Sequence, residues 1–412
     1  MGREEKTMTD LDAKLRESVR YAYEHAPAVK ARFDQAGVTP DDIQGVADLP
    51  KLPILQKDEV VRIQQANPPF GGMLARPVSE VSHIFFSPGP IYEPAPEENE
   101  SAWDVAMACL RRSGFEAGDV VLNSFSYHLV PAGFLFDRAL TRLGCTVVPG
   151  GVGNSDLQLK MMLDLQVTGY AGTPSFLMSL IRKAEEQGLD FRKTFKLRKA
   201  IVSAEPFPPS LRQQLESYGL TIGNAYGTAE FGLLAINLGD GMAMQLLPEP
   251  IVEVVDPETG QPVGAGETGE VVVTNFSRVY PLIRLGTGDM AVNVDPKPGE
   301  SRQEERAIIL VGRSGDAVKV RGMFVHPNQL RFAARQVAGV TAVQGVVTRP
   351  DLKDFFTVRA EVEATVDETA VAEQLKQTIR NLCRVRVDKV EFIPAGTLTP
   401  DDPGMVDARE WK

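Results

Sequence analysis

The chain has 412 residues, enough for a large domain and a smaller one, each with a core of its own. Its 44 basic and 55 acidic residues leave a net charge of -11, which argues against a nucleic-acid binder while leaving room for a local basic pocket that takes an anionic ligand. Cys109, Cys145 and Cys383 stand far apart with no CxxC pair, so neither a disulfide framework nor a zinc knot is expected and a reducing, cytoplasmic setting follows. The stretch from Met1 to Asp12 has no apolar leader core, and no apolar run approaches the ~18 residues of a membrane span.

In chain order, Leu11 to about Phe33 has a helical pattern, and Pro50, Pro53, Pro68 and Pro69 then punctuate a surface stretch that reads as a cap over the main domain. Between Val81 and Leu238, short β-rich runs alternate with amphipathic helical segments. These runs are Val120-Val121-Leu122, Thr146-Val147-Val148, Thr168 to Ala171, Lys199 to Ser203 and Leu220-Thr221-Ile222. Such alternation predicts a mostly parallel sheet flanked by helices. After Gly241 the texture changes to strands and turns, with Ile251 to Asp256, Glu270 to Thr274 and Ala307 to Val311 predicting an antiparallel, barrel-like subdomain. Beyond Asp316 come a hairpin from Val318 to Val325, a helix from Pro327 to Val337, strands at Ala342 to Thr348 and Thr357 to Val362, a helix from Glu368 to Cys383 and a strand from Lys389 to Ile393. The expected class is therefore α/β, with a large N-terminal domain over residues 1–315, a boundary at Gly315, and a small, mobile α+β domain over residues 316–412.

Ligands of parallel α/β sheets gather at the carboxyl ends of the strands, and two segments there carry polar chemistry: Ser203-Ala204-Glu205-Pro206 and Asn224-Ala225-Tyr226-Gly227-Thr228-Ala229-Glu230. Tyr226 offers a flat face, Thr228 a hydroxyl and Glu230 a hard oxygen ligand; a half-buried tyrosine and a solvated glutamate would read the same way. Further on stand Arg284-Leu285-Gly286-Thr287-Gly288-Asp289 and Gly312-Arg313-Ser314-Gly315-Asp316-Ala317-Val318-Lys319-Val320-Arg321-Gly322. Asp289 suits a ribose hydroxyl or a plain turn, and Arg313 suits ribose and phosphate oxygens or a surface ion pair.

This ordered trio resembles the nucleotide-binding motifs of the adenylate-forming acyl- and aryl-CoA ligases, the phenylacetate-CoA ligase branch most closely, over nearly the whole chain. The resemblance implies an AMP-forming acid:CoA ligase, in which a carboxylic acid and ATP give acyl-AMP and pyrophosphate and the coenzyme A thiol then displaces AMP. It implies that Ala204, Glu205, Pro206, Asn224, Ala225, Tyr226, Gly227, Thr228, Asp289 and Arg313 surround the nucleotide. Thr228 and Glu230 would act in catalysis, Glu230 as the Mg2+ ligand, and Lys319, Arg321 and Gly322 would meet coenzyme A. Ser126-Tyr127-His128 resembles the segment bordering the acyl pocket, so Tyr127 and His128 are candidates there, His128 to orient the carboxylate or gate the thiol; a packed or surface histidine is the alternative. Gly150, Gly151 and Gly153 would line the same pocket, or form an ordinary strand-to-helix turn. A homodimer is compatible with the family.

Two places depart from the pattern. The phosphate loop corresponds to Ser87-Pro88-Gly89-Pro90-Ile91-Tyr92-Glu93-Pro94, where two prolines remove N–H donors and Glu93 replaces a cation. The lysine expected near the C-terminus is Met405, with Lys412, seven residues on, the next lysine that could fold back. These departures motivate two alternatives: a relative that binds adenylate or acyl-CoA without adenylating, and an acyl transferase that uses a preformed adenylate.

Overall fold

The first helical stretch is two helices, α1 (Leu11–His25) and α2 (Pro27–Ala36), because Ala26 takes extended angles ahead of a proline that then starts α2. Gly37, in the left-handed region at φ 67°, ends α2. Leu15, Val19, Ala22 and Phe33 on their buried faces pack with Leu49, Leu52, Ile251 and Ile283, so the segment covers strands from much later in the chain. Helix α3 (Lys57–Ala66) follows, then an antiparallel hairpin of β1 (Ile84–Ser87) and β2 (Ile91–Pro94). The computed structural model describes residues 11–87, 89–96, 101–313, 318–321, 323–325, 327–350, 353–364, 366–383, 385–399 and 402–409.

The alternating region supplies α4 (Ala102–Arg112), β3 (Val120–Asn123), α5 (Ala132–Leu143), β4 (Thr146–Pro149), α6 (Ser155–Asp164), β5 (Gly169–Gly172), α7 (Pro174–Glu186), α8 (Phe191–Thr194), β6 (Lys199–Val202), α9 (Pro209–Ser217) and β7 (Thr221–Thr228). The strands lie parallel in the order β4-β3-β5-β6-β7. Successive strand residues point to opposite faces, so Leu122, Tyr170 and Ala200 enter one hydrophobic cluster while Val121, Ala171 and Ile201 enter the other. Both faces are thereby covered, which is why these strands are apolar without alternation.

The antiparallel strands β8 (Gly232–Asn237), β9 (Met244–Leu246), β10 (Ile251–Val255), β11 (Thr268–Thr274), β12 (Leu285–Val294) and β13 (Ala307–Arg313) continue the same sheet, in the order β10-β11-β12-β13-β9-β8-β7. Valines 252, 254, 271 and 273 form the core of this half with Leu234, Tyr280 and Leu285.

Two units divide the chain, residues 1–312 and 313–412, and the expected boundary at Gly315 lies outside the described residues. The smaller unit contains the hairpin of β14 (Val318–Val320) and β15 (Met323–Val325), then α10 (Pro327–Arg335), β16 (Val340–Thr348), β17 (Phe355–Val362), α11 (Glu368–Cys383), β18 (Lys389–Ile393) and β19 (Met405–Asp407). Its four-stranded sheet runs β18-β17-β16-β19 over a core that includes Leu330, Val347, Phe356, Leu375 and Met405. Among the described residues, no helix is long and apolar enough to cross a membrane.

Candidate active site

The Tyr226 motif is the second half of β7, and only its last residues turn toward β8. A Cβ at Gly227 would lie 2.3 Å from the Gly232 carbonyl oxygen, so glycine is what permits the two strands to approach where the register shifts between Tyr226 and Gly227. Such a bulge re-aims the side chains that follow it. The Glu230 side chain, 2% exposed, meets Lys57 Nζ at 2.5 Å across the gap to the start of α3. Its second oxygen, Oε2, is buried with no hydrogen-bond partner, and so is the neighbouring Thr228 hydroxyl.

Glu93 of β2 belongs to the same group. It is 2% exposed, and neither of its carboxyl oxygens has a hydrogen-bond partner. Burial, followed by the charge of Glu230, pushes the Glu93 carboxyl well above the usual carboxylate range, against the opposing pull of Ser87 and Lys57. Burial also pushes Glu230 up, but the Lys57 charge and hydrogen bond outweigh it and hold Glu230 below its usual range. Burial and the Glu230 charge thus favour the neutral form of Glu93, where the sequence alone suggested a simple anion in the phosphate loop. Lys57 carries none of the sequence motifs. The available signal was a cation in the first turn of a helix, where the helix dipole disfavours it unless a tertiary partner compensates.

Of the residues expected around the nucleotide, Asn224 to Thr228 lie on β7 and Asp289 on β12. Tyr226 is buried in the core of the antiparallel half and its hydroxyl donates to Asp289 Oδ2 at 2.8 Å. Gly286 is required because a Cβ there would stand 2.6 Å from Glu270 Oε1, the oxygen that accepts from Gly288 N–H at 3.1 Å. Arg284, at the head of the same motif, serves the scaffold: fully buried, it donates to Glu253, Leu52 O and Gly260 O. Asn224 and Ala225 pair with β8 inside the sheet. Ala204 is left-handed at φ 73°, and the Glu205 carboxylate is half-buried and accepts from Ser175 N–H at 3.4 Å in the first turn of α7. Pro206 is exposed. Arg313 closes β13.

Near β1 and β2, Phe86 N–H donates to Leu129 O at 2.7 Å, which ties the hairpin to the Tyr127-His128 loop. Tyr127 donates to Asp137 and accepts from Asn123, both at 2.8 Å. His128 is exposed, and its N–H donates to Ser126 Oγ at 3.2 Å. Gly133 has a structural reason, since a Cβ would come within 2.6 Å of Ser126 O. Gln158 Nε2 pins the glycine turn by donating to Gly151 O at 3.0 Å and Gly153 O at 2.7 Å. Pro88 lies outside the described residues.

In the smaller unit, Lys319 lies in β14 and Gly322 lies outside the described residues. The Arg321 guanidinium is committed to Asp388, the Asp354 carbonyl and the Arg386 carbonyl, and its backbone N–H donates to Asp354 at 2.8 Å. Met405, at the position of the expected lysine, is 3% exposed and packs in the core of the smaller unit beneath Gly345. Lys412 lies outside the described residues.

A turn after β7 that carries a buried glutamate paired to Lys57, beside the Tyr226–Asp289 contact, fits nucleotide-dependent activation of an acid. The AMP-binding enzyme family matches residues 101–277. The chain is 31% identical to the phenylacetate-coenzyme A ligase of Pseudomonas putida, covering 90% of this chain and 82% of that one. It is 28% identical to the enzyme of the same name from Escherichia coli, covering 93% and 90%. A solved 2-hydroxyisobutyryl-CoA ligase, in complex with 2-HIB-AMP and CoA, has the same fold with a TM-score of 0.87 at 24% identity, over 100% of this chain and 91% of that one. The chain belongs to the adenylate-forming enzymes, in the phenylacetate-coenzyme A ligase branch. It is an AMP-forming acid:CoA ligase, working on a carboxylic acid, ATP and coenzyme A.

Proposed function

We propose that this ligase activates an aryl or comparable medium-sized organic acid in the cytoplasm, and that Lys57 supplies the cation missing from the phosphate loop. The observation that carries the second part is the Lys57–Glu230 contact of 2.5 Å beside the unpartnered oxygens of Glu93, Glu230 and Thr228. Nucleophilic attack of an acid on the α-phosphate concentrates negative charge, and a fixed cation in a buried setting stabilises it far better than one in water. Lys57 is already held in place by Glu230, so little reorganisation is needed. The upward shift of the Glu93 carboxyl favours its neutral form, which weakens the like-charge objection to a triphosphate at this loop. Thr228 contributes a hydroxyl to the phosphate or to the acid, and Asp289, held by Tyr226, accepts from ribose.

The orphaned Glu230 Oε2 and Thr228 Oγ1 suit a hard cation. Mg2+ held by Glu230 would supply further charge neutralisation at the phosphates. Tyr127 and His128 border the acid. Coenzyme A meets the smaller unit near Lys319, while Arg321 holds the turn in shape rather than binding the ligand itself. The three cysteines are buried and unpaired, which supports a reducing compartment.

ATP–pyrophosphate exchange across a panel of aryl and aliphatic acids tests the reading. Exchange should depend on the acid and be strongest with an aryl member. Exchange with none of them, by a folded protein, would sink it.

A further inference from the structure

Where β11 pairs with β12 the register slips: Glu270 lies opposite Met290 and Val272 opposite Gly286, so Val271 alone faces Thr287, Gly288 and Asp289. Residues in such a bulge fall out of the ladder and need other hydrogen-bond partners. Side chains supply them. The Thr287 hydroxyl donates to Val271 O at 2.8 Å and accepts from Asp289 N–H at 3.1 Å. Gly288, left-handed at φ 76°, donates its N–H to Glu270 Oε1 at 3.1 Å. The bulge ends on Asp289, whose Oδ2 accepts from Tyr226, so a turn held by Glu270 sets the direction of that carboxylate. Glu270 is 2% exposed between Gly269 and a run of valines, 271 to 273. Were packing all that mattered, another valine would serve without the cost of burying a carboxyl.

The same carboxyl also meets the Lys57 end. Leu55 N–H donates to Arg284 O at 2.8 Å and Leu55 O accepts from Gly286 N–H at 2.9 Å, a parallel bridge that lays the residues before α3 along the head of β12. Gln56 follows as the N-cap of α3, and Lys57 begins the helix. A Cβ at Gly286 would stand 2.6 Å from Glu270 Oε1 and 3.2 Å from Gln56 Oε1, so both side chains crowd onto the face that glycine leaves bare. Gln56 hydrogen-bonds the Glu270 carboxyl, and the charges of Asp289 and Lys57 both act on it. Burial pushes this carboxyl up, with Gly288 N–H and Gln56 opposing; accepting from Gly288 takes only a lone pair, which the protonated and ionised forms both have. We propose that Glu270 is a positioning residue for the ligase reaction, one carboxyl that fixes the Asp289 bulge and the Gln56–Lys57 entry to α3 against each other. This rests on the reading of Asp289 as the ribose acceptor and of Lys57 as the phosphate cation.

The test compares, on the full chain, Glu270→Met, which keeps the length but removes the acceptor, Glu270→Gln, which keeps an acceptor, and Gln56→Ala, a change at an exposed residue on the α3 side alone. AMP affinity is read by calorimetry, ATP–pyrophosphate exchange as kcat and KM, and folding by the thermal midpoint. Should Glu270→Met not fold, Glu270→Asp, whose carboxyl falls a methylene short of Gly288, takes its place. The acceptor-less variant should weaken AMP about fivefold and lower kcat for exchange about tenfold or more. Glu270→Gln should recover most of both. Gln56→Ala should lower kcat for exchange and leave AMP affinity unchanged. Added to Asp289→Ala, Glu270→Met should weaken AMP no further, since no ribose acceptor is left to aim. The inference falls alone if Asp289→Ala weakens AMP and Glu270→Met does not, or if the two losses add. It also falls alone if Glu270→Gln is as poor as Glu270→Met, or if Gln56→Ala leaves exchange untouched. Unchanged AMP affinity in Asp289→Ala would instead remove the reading beneath it, and the inference with it.

Discussion

Two buried carboxylates in the larger unit are each paired to a cation, and the pairs are built to opposite specifications. Arg284–Glu253 is anchored by its cation: besides Glu253 the guanidinium donates to the Leu52 and Gly260 carbonyls at 2.6 Å each, so it joins the N-terminal segment, β10 and the 257–260 turn in one knot. Lys57–Glu230 has a single contact of 2.5 Å, with Lys57 28% exposed and the oxygens of Glu93, Glu230 Oε2 and Thr228 left without partners. A cation with all three guanidinium nitrogens donating is a scaffold. A cation with one partner, among acceptors that have none, can exchange that partner for a ligand. The difference shows why charge and burial alone do not identify a site: both pairs have them, and only saturation of the hydrogen bonds separates them.

The sharpest way to break this comparison is to remove each cation in turn. Arg284→Met leaves Glu253 buried without its counter-charge and two carbonyls without donors, which should cost about 3–5 kcal/mol of unfolding free energy. Denaturant titration measures it, and a loss below about 1 kcal/mol would end the scaffold assignment. Lys57→Met leaves the buried Glu230 without its cation and so also costs some stability, but its main effect should be on the chemistry, slowing ATP–pyrophosphate exchange by the folded protein roughly a hundredfold, equivalent to about 3 kcal/mol of transition-state stabilisation. Conversion of a supplied acyl-adenylate to the CoA thioester should fall far less. Equal loss in the two half-reactions would mean that Lys57 holds the structure together instead.

The parallel half of the fold was legible because each strand is a short apolar run bounded by turns and separated by an amphipathic helix. The small unit was legible for a similar reason, down to the helix from Glu368 to Cys383. Nothing local marks β19, whose partner β16 lies far back in the chain, so Gly404-Met405 could be read against a lysine motif when it is a core strand. The same non-locality hid Lys57. The motif residues themselves were visible, but their division of labour was not: Arg284 and Asp289 stand in one short segment, one knotting the scaffold and the other contacting Tyr226.

The Arg284 knot also has a pH signature. Burial lifts the Glu253 carboxyl to about 7, in spite of Arg284 and Arg306. A folded-state value above the unfolded one means that the native chain holds this proton where the unfolded chain releases it. The associated stability is fully present below the unfolded value near 4.5 and is lost as pH rises through about 7. Between pH 5.5 and 7.5 the decline should be on the order of 2 kcal/mol, and Glu253→Gln, which can still accept from Arg284, should flatten that part of the profile. A decline of the same size in the variant would assign it to other groups.

The smallest effect belongs to the adenosine side, where Tyr226 and Asp289 meet through one hydrogen bond of 2.8 Å. Tyr226→Phe keeps the ring in its core and removes only the hydroxyl, so the fold should be unchanged while Asp289 loses a fixed orientation. AMP affinity should fall by about 1 kcal/mol, roughly fivefold, by calorimetry. Asp289→Ala removes the proposed ribose acceptor itself and should cost at least as much. In the double variant the two losses should not add, because without Asp289 the tyrosine hydroxyl has nothing left to orient. Additive losses would mean that Tyr226 acts on the nucleotide directly through its hydroxyl. Unchanged AMP affinity in Asp289→Ala would remove this pair from the nucleotide site and leave the Lys57–Glu230 end to carry the assignment alone.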